Sequence, residues 1–251
     1  MANTIEAMAP EEILRGIIKN GTVGFDEAFV KSIAGYKLRN YNAAPSLMVF
    51  REVTSIGSYA FYGISNSNNQ IAVGLHKVTS TPGYAFTGNG LVLVLPKVTS
   101  LAKFTFREGT PPKVIDIGPD LKTIVDGTFY NYYSSNVETF ILRSPTMVSL
   151  ASINSLGNYR GSKNAACWHT NFVVPEDLIE SYQSATNWSS LISQNGMTFS
   201  ALEGSEYENY YADGTPIEIE GGVTRSILLA VLIAAELIHH SFSGKEVRAH
   251  G

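Results

Sequence analysis

Apolar and polar positions along this chain follow a short string that returns at a nearly constant interval, Val-x-Ser-Ile-x-x-Tyr-x-Phe. It reads Val30-Lys31-Ser32-Ile33 with Tyr36 and Leu38, Val53-Thr54-Ser55-Ile56 with Tyr59 and Phe61, and Val78-Thr79-Ser80-Thr81 with Tyr84 and Phe86. Two further copies are Val98-Thr99-Ser100-Leu101 with Phe104 and Phe106, and Leu121-Lys122-Thr123-Ile124 with Thr128 and Phe129. Met147-Val148-Ser149-Leu150 is a partial sixth. The hydroxyl residues Ser32, Ser55, Ser80, Ser100, Thr123 and Ser149 stand 23, 25, 20, 23 and 26 positions apart. Periods of this length mark arrays of one supersecondary unit.

Between the copies lie apolar runs of strand length: Leu47–Phe50, Ile71–Val73, Leu91–Leu95, Val114–Ile117 and Phe140–Leu142. Turn-forming segments such as Gly88-Asn89-Gly90 precede them. Each unit therefore predicts a strand, a turn and a second short extended piece. A unit of about 23 residues cannot bury both faces of its own strands and must stack on its neighbours. The predicted fold is a repeat solenoid, mainly β with short helical caps. Its core consists of two ladders, one of Ile33, Ile56, Leu101 and Ile124, the other of Leu38, Phe61, Phe86, Phe106 and Phe129. Thr81 in place of an aliphatic and Gly127 in place of the column aromatic predict two looser rungs.

The stretch Val53-Thr54-Ser55-Ile56-Gly57-Ser58-Tyr59-Ala60-Phe61-Tyr62-Gly63 resembles the consensus of BspA-like leucine-rich repeats. The resemblance extends through Thr139–Leu150, Val173–Tyr182 and Ala185–Trp188 to the closing segment of small members from gut bacteria and their prophages, covering about residues 10–208. It implies a leucine-rich-repeat-like right-handed stack. It also implies a surface, adhesion or phage-associated role, with a protein or glycan ligand on a cell surface.

An open stack exposes an apolar cross-section at each end. Pro10-Glu11-Glu12 followed by Ile13, Leu14, Ile17 and Ile18 predicts a capping helix over 9–19, within an N-terminal unit of 1–22. The repeats then occupy 23–150. A C-terminal cap takes 151–202, with a helix near 175–185 started by Pro175-Glu176-Asp177, buried through Leu178, Ile179 and Tyr182, and sealed by Trp188, Leu191 and Ile192. Residues 203–222 form an acidic, Tyr-rich linker or surface strand. An apolar helical tail covers 223–251. Its uncharged run Ser226–Ala235 falls short of the about 20 residues that span a bilayer. That favours a packing helix or a homo-oligomer contact over membrane contact by 226–238; a sequence from another reading frame is the third option.

Composition narrows the partners. Charged residues are 16% of the chain, below the usual about 25%, and the net charge is −4. A polyanion held by clustered Lys and Arg is a poor fit, so no nucleic acid partner is expected. Cys167 is the single cysteine, which rules out an intrachain disulfide or a four-thiolate zinc site. If Met1 is the natural start, Met1–Met8 lacks the basic and apolar regions of a secretory signal and signal-driven secretion is disfavoured; the BspA-like resemblance implies a virion or a bacterial cell surface as the location.

The search for chemistry turns up little. Cys167-Trp168-His169 places a thiol and an imidazole two apart, on one face if the segment is extended, and is read as a buried cysteine and a surface histidine. His239, His240 and His250 lack a ligand spacing, and Asp116, Asp120 and Asp126 are read as solvated turn residues. The sequons at Asn20 and Asn187 are read as coincidence. No nucleophile elbow, phosphate loop or zinc helix occurs. No enzyme, cofactor or metal is expected, and a small hydrolase using Cys167 and His169 is the outside alternative. The remaining resource is tyrosine, with 13 residues. Tyr62, Tyr130, Tyr132 and Tyr133 follow the phenylalanine column and are the predicted ligand contacts. A recognition module associated with a phage or prophage is the expected role, with a bacterial cell-surface adhesin as the alternative.

Overall fold

The computed structural model describes residues 31–42, 44, 47–50, 52–65, 71–88, 90–130, 137–157, 167–205, 207 and 208. The predicted N-terminal helix, the tail from 223, and Tyr132 and Tyr133 lie outside the described residues.

The fold is mainly β, with parallel sheets and few short helices. One seven-stranded sheet takes its strands in chain order: Leu47–Phe50, Ile71–Leu75, Leu91–Leu95, Val114–Ile117, Thr139–Leu142, Asn171–Val174 and Thr198–Ala201. Every neighbouring pair is parallel. The last two strands come from the segment assigned to the cap, so the sheet runs past residue 150. The Ser-Ile positions form a second set of short parallel pairs, with Ser32 opposite Ser55, Ser80 opposite Ser100 and Thr123 opposite Ser149. A third set joins Phe61 to Phe86 and Phe106 to Phe129.

The strands of a parallel sheet covered on both faces read as continuous apolar runs, and Leu91–Leu95 shows the reason. Leu91, Leu93 and Leu95 enter the main core. Val92 and Val94 enter a second cluster with Ala72, Val114, Ile141 and Val173, against which Leu202 and Tyr207 pack. In the main core Phe50, Phe61, Phe86, Phe106, Phe129, Phe140 and Phe172 form a buried column. Successive ring centroids lie 4.5–6.0 Å apart. Each such contact is worth about 0.5–1.5 kcal/mol beyond area burial.

Three side chains from the segment after residue 175 bond the backbone beside the short strand Ser149–Leu150. The predicted helix near 175–185 is split into a 3-10 turn, Glu176–Leu178, and a helix, Ile179–Ser184, followed by a second helix, Thr186–Asn195. Tyr182, Trp188 and Leu191 are buried, whereas Leu178, Ile179 and Ile192 are half-buried against the core. The Val148 amide donates to the Tyr182 hydroxyl at 2.9 Å, and Trp188 Nε1 donates to the Val148 carbonyl at 2.9 Å. Asn187 Nδ2 donates to the Leu150 carbonyl at 2.8 Å. Exposed strand edges carry such groups unpaired, and three cap residues satisfy them here. Asn187 of the second sequon is thus spent on the edge.

Two expectations need correction. Asp116 is not a solvated turn residue: it sits in the strand Val114–Ile117, fully buried on the second face. Arg143 Nε lies 3.0 Å from its Oδ1, and Arg143 donates from a terminal nitrogen to Oδ2 at 3.0 Å. The same guanidinium donates to the carbonyls of Tyr207 and Glu208, tying the start of the acidic segment to the sheet. A buried carboxylate needs this kind of pairing. Nor is the Thr81 rung loose. Thr81 and Thr105 hydroxyls are 2.8 Å apart, and Thr105 donates to the Ala102 carbonyl, so the shared proton belongs to Thr81. Asp120 is exposed, and half-buried Asp126 accepts from Ser152.

Candidate functional site

Counting from each hydroxyl residue, the fourth position onward is Tyr36, Tyr59, Tyr84, Phe104 and Gly127, and the seventh is Arg39, Tyr62, Thr87, Arg107 and Tyr130. The fourth-position residues follow the short strands and turn the chain with positive φ: 66°, 61°, 60°, 66° and 68°. Only the last is a glycine, although side chains with a Cβ disfavour this region. The turns are held from one to the next by the backbone. Tyr59 N–H donates to the Tyr84 carbonyl, Tyr84 N–H to Phe104, Phe104 N–H to Gly127, and Gly127 N–H to Asn154.

This geometry stacks the side chains on the surface. Tyr36 and Tyr59 are 4.8 Å apart and Tyr59 and Tyr84 4.7 Å apart, each pair within 15° of parallel. Phe104 continues the column at 6.0 Å, tilted. Tyr36 is 56% exposed, while Tyr59, Tyr84 and Phe104 are half-buried. Burial pushes the Tyr59 hydroxyl pKa up, with the neighbouring tyrosines adding to the effect.

Two arginines of the adjacent column each serve three rings. The Arg39 guanidinium carbon lies 5.4, 5.1 and 5.6 Å from the ring centres of Tyr36, Tyr59 and Tyr62. That of Arg107 lies 5.2, 4.6 and 4.9 Å from Tyr84, Phe104 and Tyr130. Such contacts are worth about 0.5–1 kcal/mol each at exposed sites. Arg107 Nε is 3.0 Å from Glu108 Oε1, a contact that counts as an ion pair by distance while the Nε–H makes no aligned hydrogen bond.

Tyr62 and Tyr130, predicted as ligand contacts, are half-buried and belong to the seventh-position column. The prediction missed Tyr36, Tyr59, Tyr84, Phe104, Arg39 and Arg107. The string already aligns the fourth position; aligning the seventh as well adds Arg39 and Arg107. At Gly127 the column loses its ring, and a cavity of about 280 Å³ opens beside Lys103, Phe104, Asp126 and Tyr130.

The other candidates are not brought together. Residues 167–169 form a turn with His169 at φ 55°, not an extended segment, and Cys167 is buried while His169 is exposed. Burial pushes the thiol pKa up to about 12, against a hydrogen bond with Thr170 that lowers it. A thiol held protonated is a poor nucleophile. Among the described residues no group of three His, Cys, Asp or Glu is placed to hold a metal ion, and no helix is long and apolar enough to cross a membrane. His239, His240, His250 and the apolar run 226–238 lie outside the described residues.

Comparisons with family models, curated proteins and solved structures found no match to this chain.

Proposed function

We propose that this chain is a non-enzymatic recognition module, associated with a phage or prophage, that binds a protein or glycan on a cell surface through its double aromatic and cationic column. The observation that carries the reading is the pair of aligned columns, in which Arg39 and Arg107 each sit over three rings at the surface. Tyr and Arg are the residues that most often dominate binding energy at interfaces, because they combine contact area with hydrogen-bonding or charged tips. The scaffold in this reading is a leucine-rich-repeat-like solenoid of the BspA-like kind. Its support is the parallel pairing of residues that are also aligned in the sequence string, such as Ser32 with Ser55 and Thr123 with Ser149.

The test is immunodetection of the protein in purified phage particles and in washed cell envelopes of the source culture, followed by binding of the purified chain to host cells. The expected result is a particle-associated protein whose cell binding falls at least tenfold in the Arg39→Glu, Arg107→Glu double variant with its melting temperature retained. A protein found in neither fraction, or one whose binding ignores the double variant, overturns the reading. Signal in envelopes alone makes it an adhesin instead.

A further inference from the structure

We infer that the cavity at Gly127 is a vacant rung of the surface aromatic column and accepts an aromatic side chain of a protein partner. This rests on the recognition reading and narrows its ligand from protein or glycan to a protein that inserts a tyrosine-like ring.

The argument begins with the column's own spacing. Tyr36, Tyr59, Tyr84 and Phe104 occupy successive turns with φ between 60° and 66°, and Gly127 occupies the next turn at 68°. Its amide and carbonyl make the same column-to-column bonds, to the Asn154 carbonyl and from the Phe104 amide. The backbone is therefore set for a ring that the residue does not supply. Phe104 forms one wall, and Tyr130, edge-on to Phe104 at 5.5 Å, forms another. Lys103 and Arg107 line the cavity beside them, with Lys103 Nζ 5.1 Å from the Phe104 ring centre.

The chemistry of the walls selects the guest. Two aromatic walls and two cations complement the negative face of another π-system. A saccharide needs partners for several hydroxyls; of the polar groups here the Asp126 carboxylate and the Gly127 backbone are already engaged, which leaves the Asn154 side chain and the Arg107 Nε–H. Asp126 accepts from Ser152 and lies 3.8 Å from Lys103 Nζ, and both backbone groups of Gly127 are bonded. About 280 Å³ is ample for a phenol ring and its single methylene.

The same geometry supplies a plug. A Cβ built on Gly127 meets Lys103 Cε at 3.1 Å and Phe104 Cε1 at 3.4 Å. The nearest obstacle is the flexible end of a lysine, and tyrosine already occupies this backbone conformation three times in the column. Gly127→Tyr should complete the ladder from within.

The experiment titrates N-acetyltyrosinamide, with N-acetylglucosamine in parallel, into the full chain and into Gly127→Tyr by saturation-transfer NMR. The expected result is wild-type binding of the aromatic probe on the order of 1 mM, as befits so small a ligand. Gly127→Tyr should weaken it at least tenfold with a melting temperature within a few degrees of the wild type. If Gly127→Tyr does not fold, Phe104→Leu, which keeps most of the apolar bulk and removes the ring, should give the same loss. Absence of aromatic binding, binding that survives both substitutions, or saccharide binding lost in Gly127→Tyr overturns the inference. Host-cell binding by wild type without probe binding overturns it and leaves the recognition reading standing; probe binding without host-cell binding does the reverse.

Discussion

Two aromatic columns run side by side through this molecule at nearly the same spacing, one dry and one wet. Phe61, Phe86, Phe106 and Phe129 are fully buried, with successive centroids 5.7, 5.9 and 4.5 Å apart. Tyr36, Tyr59, Tyr84 and Phe104 are 4.8, 4.7 and 6.0 Å apart and lie at the surface. The wet column alone has positive φ at every step. A non-glycine residue in that region costs about 1–3 kcal/mol. A stacked pair returns about 0.5–1.5 kcal/mol and a cation above it about 0.5–1 kcal/mol. The surface column therefore comes out near zero in stability, whereas each inner phenylalanine gains its full burial. The difference teaches that the inner column holds the fold, and that the outer one has to be explained by what it presents.

The largest expected effect comes from breaking the inner column with charge. Phe86→Asp leaves an unpaired carboxylate among apolar rings, and the chain is expected to lose its cooperative melt altogether. Tyr84→Asp, two residues away on the wet column, should shift the melting temperature by only a few degrees. Deleting residues 78–97 removes one whole copy and joins Lys77 to Val98, so the stacking register survives. Thermal melts should rank the deletion well above Phe86→Asp. The opposite ranking would refute the repeat reading of the scaffold.

The two columns were unequally legible. Ile33, Leu38, Ile56, Phe61, Phe86, Leu101, Phe106, Ile124 and Phe129 are all buried, and their recurrence in the string matches the parallel pairing of Phe61 with Phe86 and of Phe106 with Phe129. The wet column shares the period, yet nothing in residue type announces that a tyrosine will sit at positive φ. That conformation is imposed by the backbone bonds between neighbouring turns, such as Tyr84 N–H to the Phe104 carbonyl. Asp116 was misread for a related reason. Alternation in Val114-Ile115-Asp116-Ile117 places it opposite the core, and only the packing of Leu202 and Tyr207 shows that this face also excludes water. Its partner Arg143 lies 27 residues on, beyond the reach of local patterning. The strands Asn171–Val174 and Thr198–Ala201 went unread because they lack the Ser-Ile string.

An alkaline titration sharpens the contrast at an intermediate level. Tyr182 closes the dry side and burial pushes its hydroxyl pKa up to about 12, despite the Val148 amide that donates to it. Cys167 is likewise raised to about 12 by burial. In both, the folded state holds its proton more tightly than the unfolded chain, whose thiol and phenol ionise near 9.0 and 10.0. Stability from these groups is complete below about pH 9 and falls as pH rises towards 12. Denaturant midpoints should be flat up to that point and decline above it. Cys167→Ala should make the decline shallower and start it nearer pH 10; an unchanged slope would place the titrating groups elsewhere.

The smallest effect isolates the strain of the wet column at one residue. Tyr59→Ala removes two stacked neighbours and the Arg39 contact but keeps a Cβ at φ 61°. Tyr59→Gly removes the same contacts and relieves the backbone. In an ordinary extended segment glycine is the less stable of the two, by roughly 0.5–1 kcal/mol. Here the order should invert, with Gly the more stable by about 1 kcal/mol, because alanine retains the steric cost of the left-handed region. Chemical denaturation of the two variants decides it. If alanine is equal or better, the turns are not strained, and the wet column needs no function to account for its geometry.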